Sequence, residues 1–238
     1  SYPRKVGNHM KHNKLSAALW ALVSALFSLT AAVAVPILWR GWYAWQVGPL
    51  GLEAYTGWSR ETILGAYGAV MDFLVKGGPF STGELAWSES GRAHFADCRV
   101  LFRLDFIALA LTALLLLAAL IHLLRSAPPI GARRVSPPLL ALAVTAGVFL
   151  IFGTWAVLDF EGLFTAFHHT FFPGKDNWVF DWRTDQIILI LPEAFWARTA
   201  ALVAGLTLAI EALLAALLAL IRRLRRPKSI YEDILRSK

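Results

Sequence analysis

Two short segments of this chain hold side chains able to exchange protons near neutral pH. One reads Gly91-Arg92-Ala93-His94-Phe95-Ala96-Asp97-Cys98-Arg99. The other reads Phe167-His168-His169-Thr170-Phe171-Phe172, followed by Asp176-Asn177-Trp178, Asp181, Asp185 and Leu191-Pro192-Glu193. Imidazole titrates closest to neutrality of the side chains, so it serves as general base, general acid or metal ligand. His94 and Asp97 stand three apart. On a helix they share a face, and the carboxylate can accept from one ring nitrogen and fix the tautomer of His94. A helix over 160–172, at ~100° per residue, gathers Phe160, Leu163, Phe164, Phe167 and Phe171 on one face. His168 falls at the edge of that face, where an apolar substrate would meet water, and His169 lies nearly opposite as a solvated ring. Arg92, Arg99 and Arg183 are candidates for holding lipid phosphates or polarising a carbonyl.

Each of these residues also has a purely structural reading: a histidine at an interface as a hydrogen-bonded amphipathic side chain, an arginine as half of a surface pair. Metal ligation by His94, His168 and His169 lacks the spacing of a zinc pattern, and no cofactor motif is present. Cys98 is the only cysteine, which excludes an intramolecular disulfide and a thiolate cluster. The sequence has no Gly-x-Ser-x-Gly elbow, no His-Glu-x-x-His helix and no phosphate-cradling loop.

The elements that must position these groups lie largely in lipid. The chain is 57% hydrophobic and only 16% charged, more apolar surface than a soluble domain of 238 residues can hide. Four windows read as spanning helices, over 15–39, 106–124, 135–158 and 199–221, each close to the ~20 apolar residues a bilayer requires. The short N-terminal segment 1–14, the loop 125–134 and the tail 222–238 carry fourteen Lys/Arg against two acids, while the loops 40–105 and 159–198 carry nine Lys/Arg against thirteen acids. Basic residues collect on the cytoplasmic face, which puts both termini inside and both histidine segments outside. The net charge of +7 is thus a topology signal and not a nucleic-acid footprint. Ser1 to His9 resembles a cloning remnant, with His9-Met10 as its junction.

Tryptophan adds to the asymmetry, since only Trp20 lies toward the inner side and the other nine lie toward the loops that carry the histidines. Those loops are expected to form an extracytoplasmic cap at the headgroup level. Within it, 59–76 reads as an amphipathic helix capped by Ser59 and ended by Gly77-Gly78-Pro79. It either rests in the outer leaflet or packs on the cap itself. The fold class expected is an all-α integral membrane protein of four transmembrane helices with an interfacial cap. Glu211, deep in the last span, is expected to be protonated and to hydrogen-bond to Thr145, Thr112 or Ser24.

With these motifs in place, the chain resembles the bacterial lipoprotein intramolecular transacylases. The likeness rests on Gly91-x-x-His94-Phe95-x-Asp97-x-Arg99 before the second span. It rests as well on Phe167-His168-x-x-Phe171-Phe172, Asn177-Trp178, Asp185-x-x-Ile188 and Leu191-Pro192-Glu193 before the fourth. The resemblance implies transfer of the sn-2 acyl chain of an S-diacylglyceryl-cysteine to the cysteine's own α-amino group, giving a lyso-form lipoprotein in the bacterial cell membrane. It implies a catalytic pair at His94 and His168, with a diacylated lipoprotein and membrane lipid as partners; from the residues themselves, no cofactor, no metal and no nucleic-acid partner is expected. Asp97, Arg92, Arg99, Asp181, Asp185 and Glu193 are the supporting candidates, with Asp181, Asp185 or Glu193 expected to hold the substrate's amine. Two departures stand out: Cys98 replaces a β-branched aliphatic residue, and His169 doubles the histidine position. The other classes weighed are a haem- or metal-binding membrane electron carrier and a non-enzymatic lipid-binding or assembly protein.

Overall fold

The computed structural model describes residues 4–126 and 136–225, and every regular element in them is helical. The basic loop with Arg133 and Arg134, residues 1–3 and the tail from 226 onward lie outside the described residues. Four helices are long and apolar enough to cross a membrane: α1 (Arg4–Leu38, apolar from Leu15), α5 (Glu89–Arg125), α6 (Pro137–Leu158) and α8 (Glu193–Leu224). Four shorter helices, α2 (Gly41–Gln46), α3 (Leu52–Thr56), α4 (Arg60–Val75) and α7 (Phe160–Phe171), join with a 3₁₀ turn (Gln186–Ile190) to build a cap at one end of the bundle.

Helix α1 is the centre of the bundle and packs against α5, α6 and α8. Its buried residues Ala21, Ser24, Ser28 and Ala32 recur at helical spacing and are small. Without a hydrophobic drive between helices in lipid, such small faces let backbones approach and gain dispersion contact. The outer helices turn leucines, isoleucines and valines outward, as at Leu114, Ile151 and Val157. Water would penalise that surface, and hydrocarbon does not. Helix α5 has 37 residues. At ~1.5 Å per residue it is roughly 55 Å long, well beyond the ~30 Å hydrocarbon layer. Its apolar run over 106–124 fills the layer, and the turns that carry His94 rise into the cap.

The cap has its own core. Tyr43 and Tyr67 stack with centroids 3.8 Å apart, Phe195 meets Tyr43 edge-on at 5.4 Å, and the Tyr43 hydroxyl donates to the carbonyl of Ile190 at 2.9 Å. Helix α4 begins as the sequence indicates, with Ser59 Oγ accepting from the amide of Thr62. Its apolar face, Ile63, Ala66, Tyr67, Val70 and Leu74, is buried in the cap core. Of the two expectations for 59–76, packing on the cap is the one this structure displays, because the face that lipid would need is covered by protein.

A clasp ties the segment before α8 to the start of α5. Asp185, buried, accepts from the Ser88 amide at 2.9 Å, the Ser88 hydroxyl at 2.8 Å and the Thr184 hydroxyl at 3.0 Å. Ser88 in turn caps α5 by accepting from the Gly91 amide at 3.0 Å. For Asp185, expected as one of three candidates to hold the substrate's amine, the structure shows a different use: its oxygens accept from Ser88 and Thr184, and it fastens the cap. Gly91 is glycine for a steric reason, since a Cβ there would collide with the Asp185 carboxylate.

In the bundle, Glu211 is fully buried and accepts from the Thr145 hydroxyl at 3.0 Å. The other two partners expected for it are engaged locally: Thr112 donates to Ala108 and Ser24 to Trp20, each four residues back on its own helix.

Two outcomes follow. Gly91→Ala is expected to open the Asp185 clasp and cost about 1–3 kcal/mol, the usual range for overpacking a tight contact; thermal unfolding in detergent, followed by tryptophan fluorescence, should give a lower midpoint. Glu211→Gln should retain activity, while Glu211→Leu should lower stability by at most ~2 kcal/mol, the scale of interhelical hydrogen bonds in membranes. A stable Gln variant without activity would show that the carboxyl proton itself is needed.

Candidate active site

His94 projects from the second turn of α5, and His168 from the last turn of α7, whose start is capped by Asp159 accepting from the Gly162 amide at 2.9 Å. The cap brings the two rings together with centroids 5.8 Å apart, and each residue is only 7% exposed. His169 is exposed, its ring edge-on to Trp178 at 5.6 Å. The walls are aromatic. Phe172 meets His94 edge-on at 4.9 Å and Phe180 does so at 5.5 Å. Trp178 stacks on His168 at 4.6 Å, and Phe164 lies 4.1 Å from the same ring.

The tautomers can be read from the partners. His168 Nδ1 lies 2.7 Å from the Phe164 carbonyl, which can only accept, so Nδ1 carries the proton and Nε2 is a free lone pair. His94 Nε2 lies 3.4 Å from Cys98 Sγ. Burial pushes the Cys98 thiol up to about 12, so it stays protonated. With the thiol as donor of that contact, the lone pair of His94 lies at Nε2 and its proton at Nδ1.

The expected bond from His94 to Asp97 is corrected. Asp97 Oδ1 accepts from Lys175 Nζ at 2.5 Å, and Oδ2 accepts from Asn177 Nδ2 at 3.1 Å. With both oxygens occupied by the segment after α7, the carboxylate reaches His94 only through its field. Burial raises the Asp97 carboxyl, but the bonds from Lys175 and Asn177 outweigh this and hold it below its usual range. Burial also dominates the histidines. It lowers His94 to about 4, helped by His168 and Lys175 and opposed by Asp97 and Asn177. It lowers His168 too, with the Phe164 carbonyl pulling the other way and His169 adding to the fall. Both rings are neutral bases at physiological pH.

The remaining candidates stand apart from the rings. Arg92 is exposed and pairs with Glu89 at 2.7 Å. Arg99 lies 5.2 Å over the ring of Phe73, against Gly77. Asp181 accepts from the Arg183 amide at 3.0 Å, and Glu193 is exposed in the first turn of α8. Among the described residues no hydrogen bond, ion pair or ring contact joins Arg92, Arg99, Asp181 or Glu193 to either histidine. Sequence reasoning gave no role to Lys175 or Phe180, and Phe172, Asn177 and Trp178 entered it only as part of the motif that carries the resemblance. Their contacts depend on α5, far away in the chain.

The arrangement can accept a proton from a substrate, move it between two neutral imidazoles and return it, among aromatic side chains that leave each histidine little exposed. Residues 18–196 match the profile of the family described as "Lipoprotein intramolecular transacylase Lit". A search of curated proteins gave no match. Among solved structures, the fold is similar to the membrane-integral lipoprotein intramolecular transacylase Lit of Bacillus cereus, at 22% identity and a TM-score of 0.80, over 92% of this chain and 99% of that one. A variant of that protein with a histidine replaced by alanine matches at 20% identity and a TM-score of 0.77, over 93% of this chain and 99% of the other. A variant with histidine replaced by arginine matches at 22% and 0.76, over 94% and 98%. With the profile spanning most of the chain, from within α1 into α8, the protein belongs to the lipoprotein intramolecular transacylase family.

Proposed function

We propose that this membrane protein moves the sn-2 acyl chain of a diacylated lipoprotein to the α-amino group of the same cysteine, and that the His94–His168 pair carries the protons. The observation that supports the reading best is the pair itself: two buried, neutral imidazoles face one another in an aromatic pocket at the end of a lipid-spanning bundle.

The reaction forms one N–C bond and breaks one C–O bond. An α-amine has a pKa of about 7.7–8.0, so a usable share is the free base near neutrality. As its nitrogen attacks the sn-2 carbonyl it must lose a proton, and the glycerol oxygen must gain one as it leaves. His168 Nε2, free of any protein donor, takes the amine proton. His94 in its neutral form has no proton on Nε2 to give, so it acts as a relay and not as a standing oxyanion donor. It receives the proton at Nε2 and passes it to the departing sn-2 oxygen. A second proton on the pair is disfavoured by the first. Because donor and acceptor belong to one molecule, no acyl-enzyme is needed, and holding the glycerol arm curled over the amine supplies much of the acceleration. Arg99, a cation over an aromatic ring beside the cap, is suited to a carbonyl or a lipid headgroup.

The charge pattern supports an orientation with both termini cytoplasmic and the cap on the outer face of the bacterial cell membrane, where lipoproteins carry their lipid.

In cells that carry the gene, mass spectrometry of lipoproteins should find the N-acylated lyso-form, and cells without it should retain the diacyl form. His94→Ala and His168→Ala should each lower conversion by roughly 10²-fold or more in protein that still inserts, whereas His169→Ala should be milder. A dead His169 variant beside a near-normal His168 variant would contradict the assignment. For orientation, with Cys98 replaced by valine, cysteines at the exposed positions Glu84 and Asp176 should react with an impermeant maleimide in intact cells, and one at Gly131 should not.

A further inference from the structure

Asn177 and His94 each have a buried polar atom without a hydrogen-bonding partner of good geometry, Oδ1 of the amide and Nδ1 of the ring. The two belong together. Asp97 Oδ2 can only accept, so the Asn177 amide must turn Nδ2 toward it, and the 3.1 Å bond fixes that orientation. The carbonyl end of the amide is then its only other polar group, and the His94 ring is the neighbour with which it interacts. From the opposite side, the Cys98 thiol lies 3.4 Å from Nε2, a contact compatible with a proton on Nδ1. An amide oxygen requires a donor, and Nδ1–H is one. Catalytic hydrogen bonds of this kind are often loose in the absence of substrate and shorten when it binds.

We infer that Asn177 is a positioning residue that couples the Asp97 carboxylate to His94, holding the ring in its Nδ1–H tautomer so that Nε2 keeps its lone pair for the proton relayed from His168. The inference rests on the proposed transfer reaction for its kinetic consequences, and on geometry alone for the tautomer. The coupling runs Asp97 to Asn177 to His94, with Lys175 on the second carboxylate oxygen keeping Asp97 ionised and in place. When His94 takes up the relayed proton, the charge formed on the ring faces an amide oxygen backed by a carboxylate, which stabilises it without placing a full negative charge in contact. An amide between carboxylate and ring raises the basicity of His94 less than a carboxylate in direct contact would.

Next to Asn177 in the chain, Trp178 stacks on His168, and its indole nitrogen donates to the Lys175 carbonyl at 3.0 Å. Residues 175–178 therefore brace both histidines from one short segment. The groups that face His94 and bear on its titration are His168 from α7, Asp97 and Cys98 from α5, and Lys175 and Asn177 from this segment.

The test uses the full-length protein in detergent and a synthetic S-diacylglyceryl-cysteine lipopeptide, with imidazole ¹⁵N NMR as a readout that needs no turnover. In the wild-type protein His94 should show the Nδ1-protonated tautomer. Asn177→Ala should mix the tautomers and lower the turnover by tenfold or more while the unfolding temperature changes little. Asn177→Asp sets a carboxylate against Nδ1, and the acid limb of the pH–rate profile should move upward by a pH unit or more, since an added negative charge raises the pKa of His94. Asp97→Asn should shift it less. An unchanged His94 tautomer in Asn177→Ala together with an unmoved acid limb in Asn177→Asp would overturn the inference, even if turnover falls. If the wild-type protein leaves the lipopeptide untouched, the transfer reading fails, and the NMR arm still decides the role of Asn177.

Discussion

Two carboxylates on opposite sides of a join hold this site together. Asp185, from the segment before α8, fastens onto Ser88 at the start of α5, and Asp97, from α5, is gripped by Lys175 and Asn177 of the segment after α7. Each bond is charge-assisted, and such bonds are roughly twice as strong as neutral ones. Together they draw a segment with little regular structure across the first turns of α5, and His168 comes to face His94 as a result. Gly91 permits the approach by having no side chain, and Ser88 serves both as the helix cap and as a ligand of the clasp.

The site that this join encloses is buried and aromatic, and its electrostatics follow from that. Burial strips water from both imidazoles and favours their neutral forms, while the rings of Phe172, Phe180, Phe164 and Trp178 offer no competing hydrogen-bond acceptors. Transfer between two groups of one substrate needs a proton removed and a proton returned, so two neutral bases suffice. Around His94 the Asp97 carboxylate favours the charged ring, and burial, the larger effect, favours the neutral one.

Below the cap, the bundle serves mainly as a holder. Small residues on α1 let three helices close around it, and the buried pair Thr145–Glu211 links α6 to α8 in the middle of the layer. Such a pair contributes modest stability, because polar groups in a membrane find partners in the unfolded state too. The length of α5 has more effect on function. A helix that only spanned the layer would leave His94 at the hydrocarbon edge, and the extra turns lift it to the level of α7.

The sequence by itself determined the four spans, the cap and the exposure of His169 against a His168 set at the edge of an apolar face; the burial of His168 came with the fold. The sequence did so because span length and helical periodicity are local properties, legible within a window of some twenty residues. The Ser59 cap and the partner of Glu211 were within reach for the same reason, as a local motif and as one of few hydroxyls at matching depth. The tertiary structure alone decided what each carboxylate does. Asp97 looked like the partner of His94 three residues away, yet its hydrogen bonds go to Lys175 and Asn177, 78 and 80 positions distant. Asp185 looked like a ligand for the substrate amine, yet it is consumed by Ser88, 97 positions earlier. The apolar face of α4 could have met lipid or protein, and only the packing of Tyr43, Tyr67 and Phe195 gave it a protein neighbour. A carboxylate bonds to whichever donors the fold delivers to it, and sequence spacing carries that information only when the donor sits on the same helix.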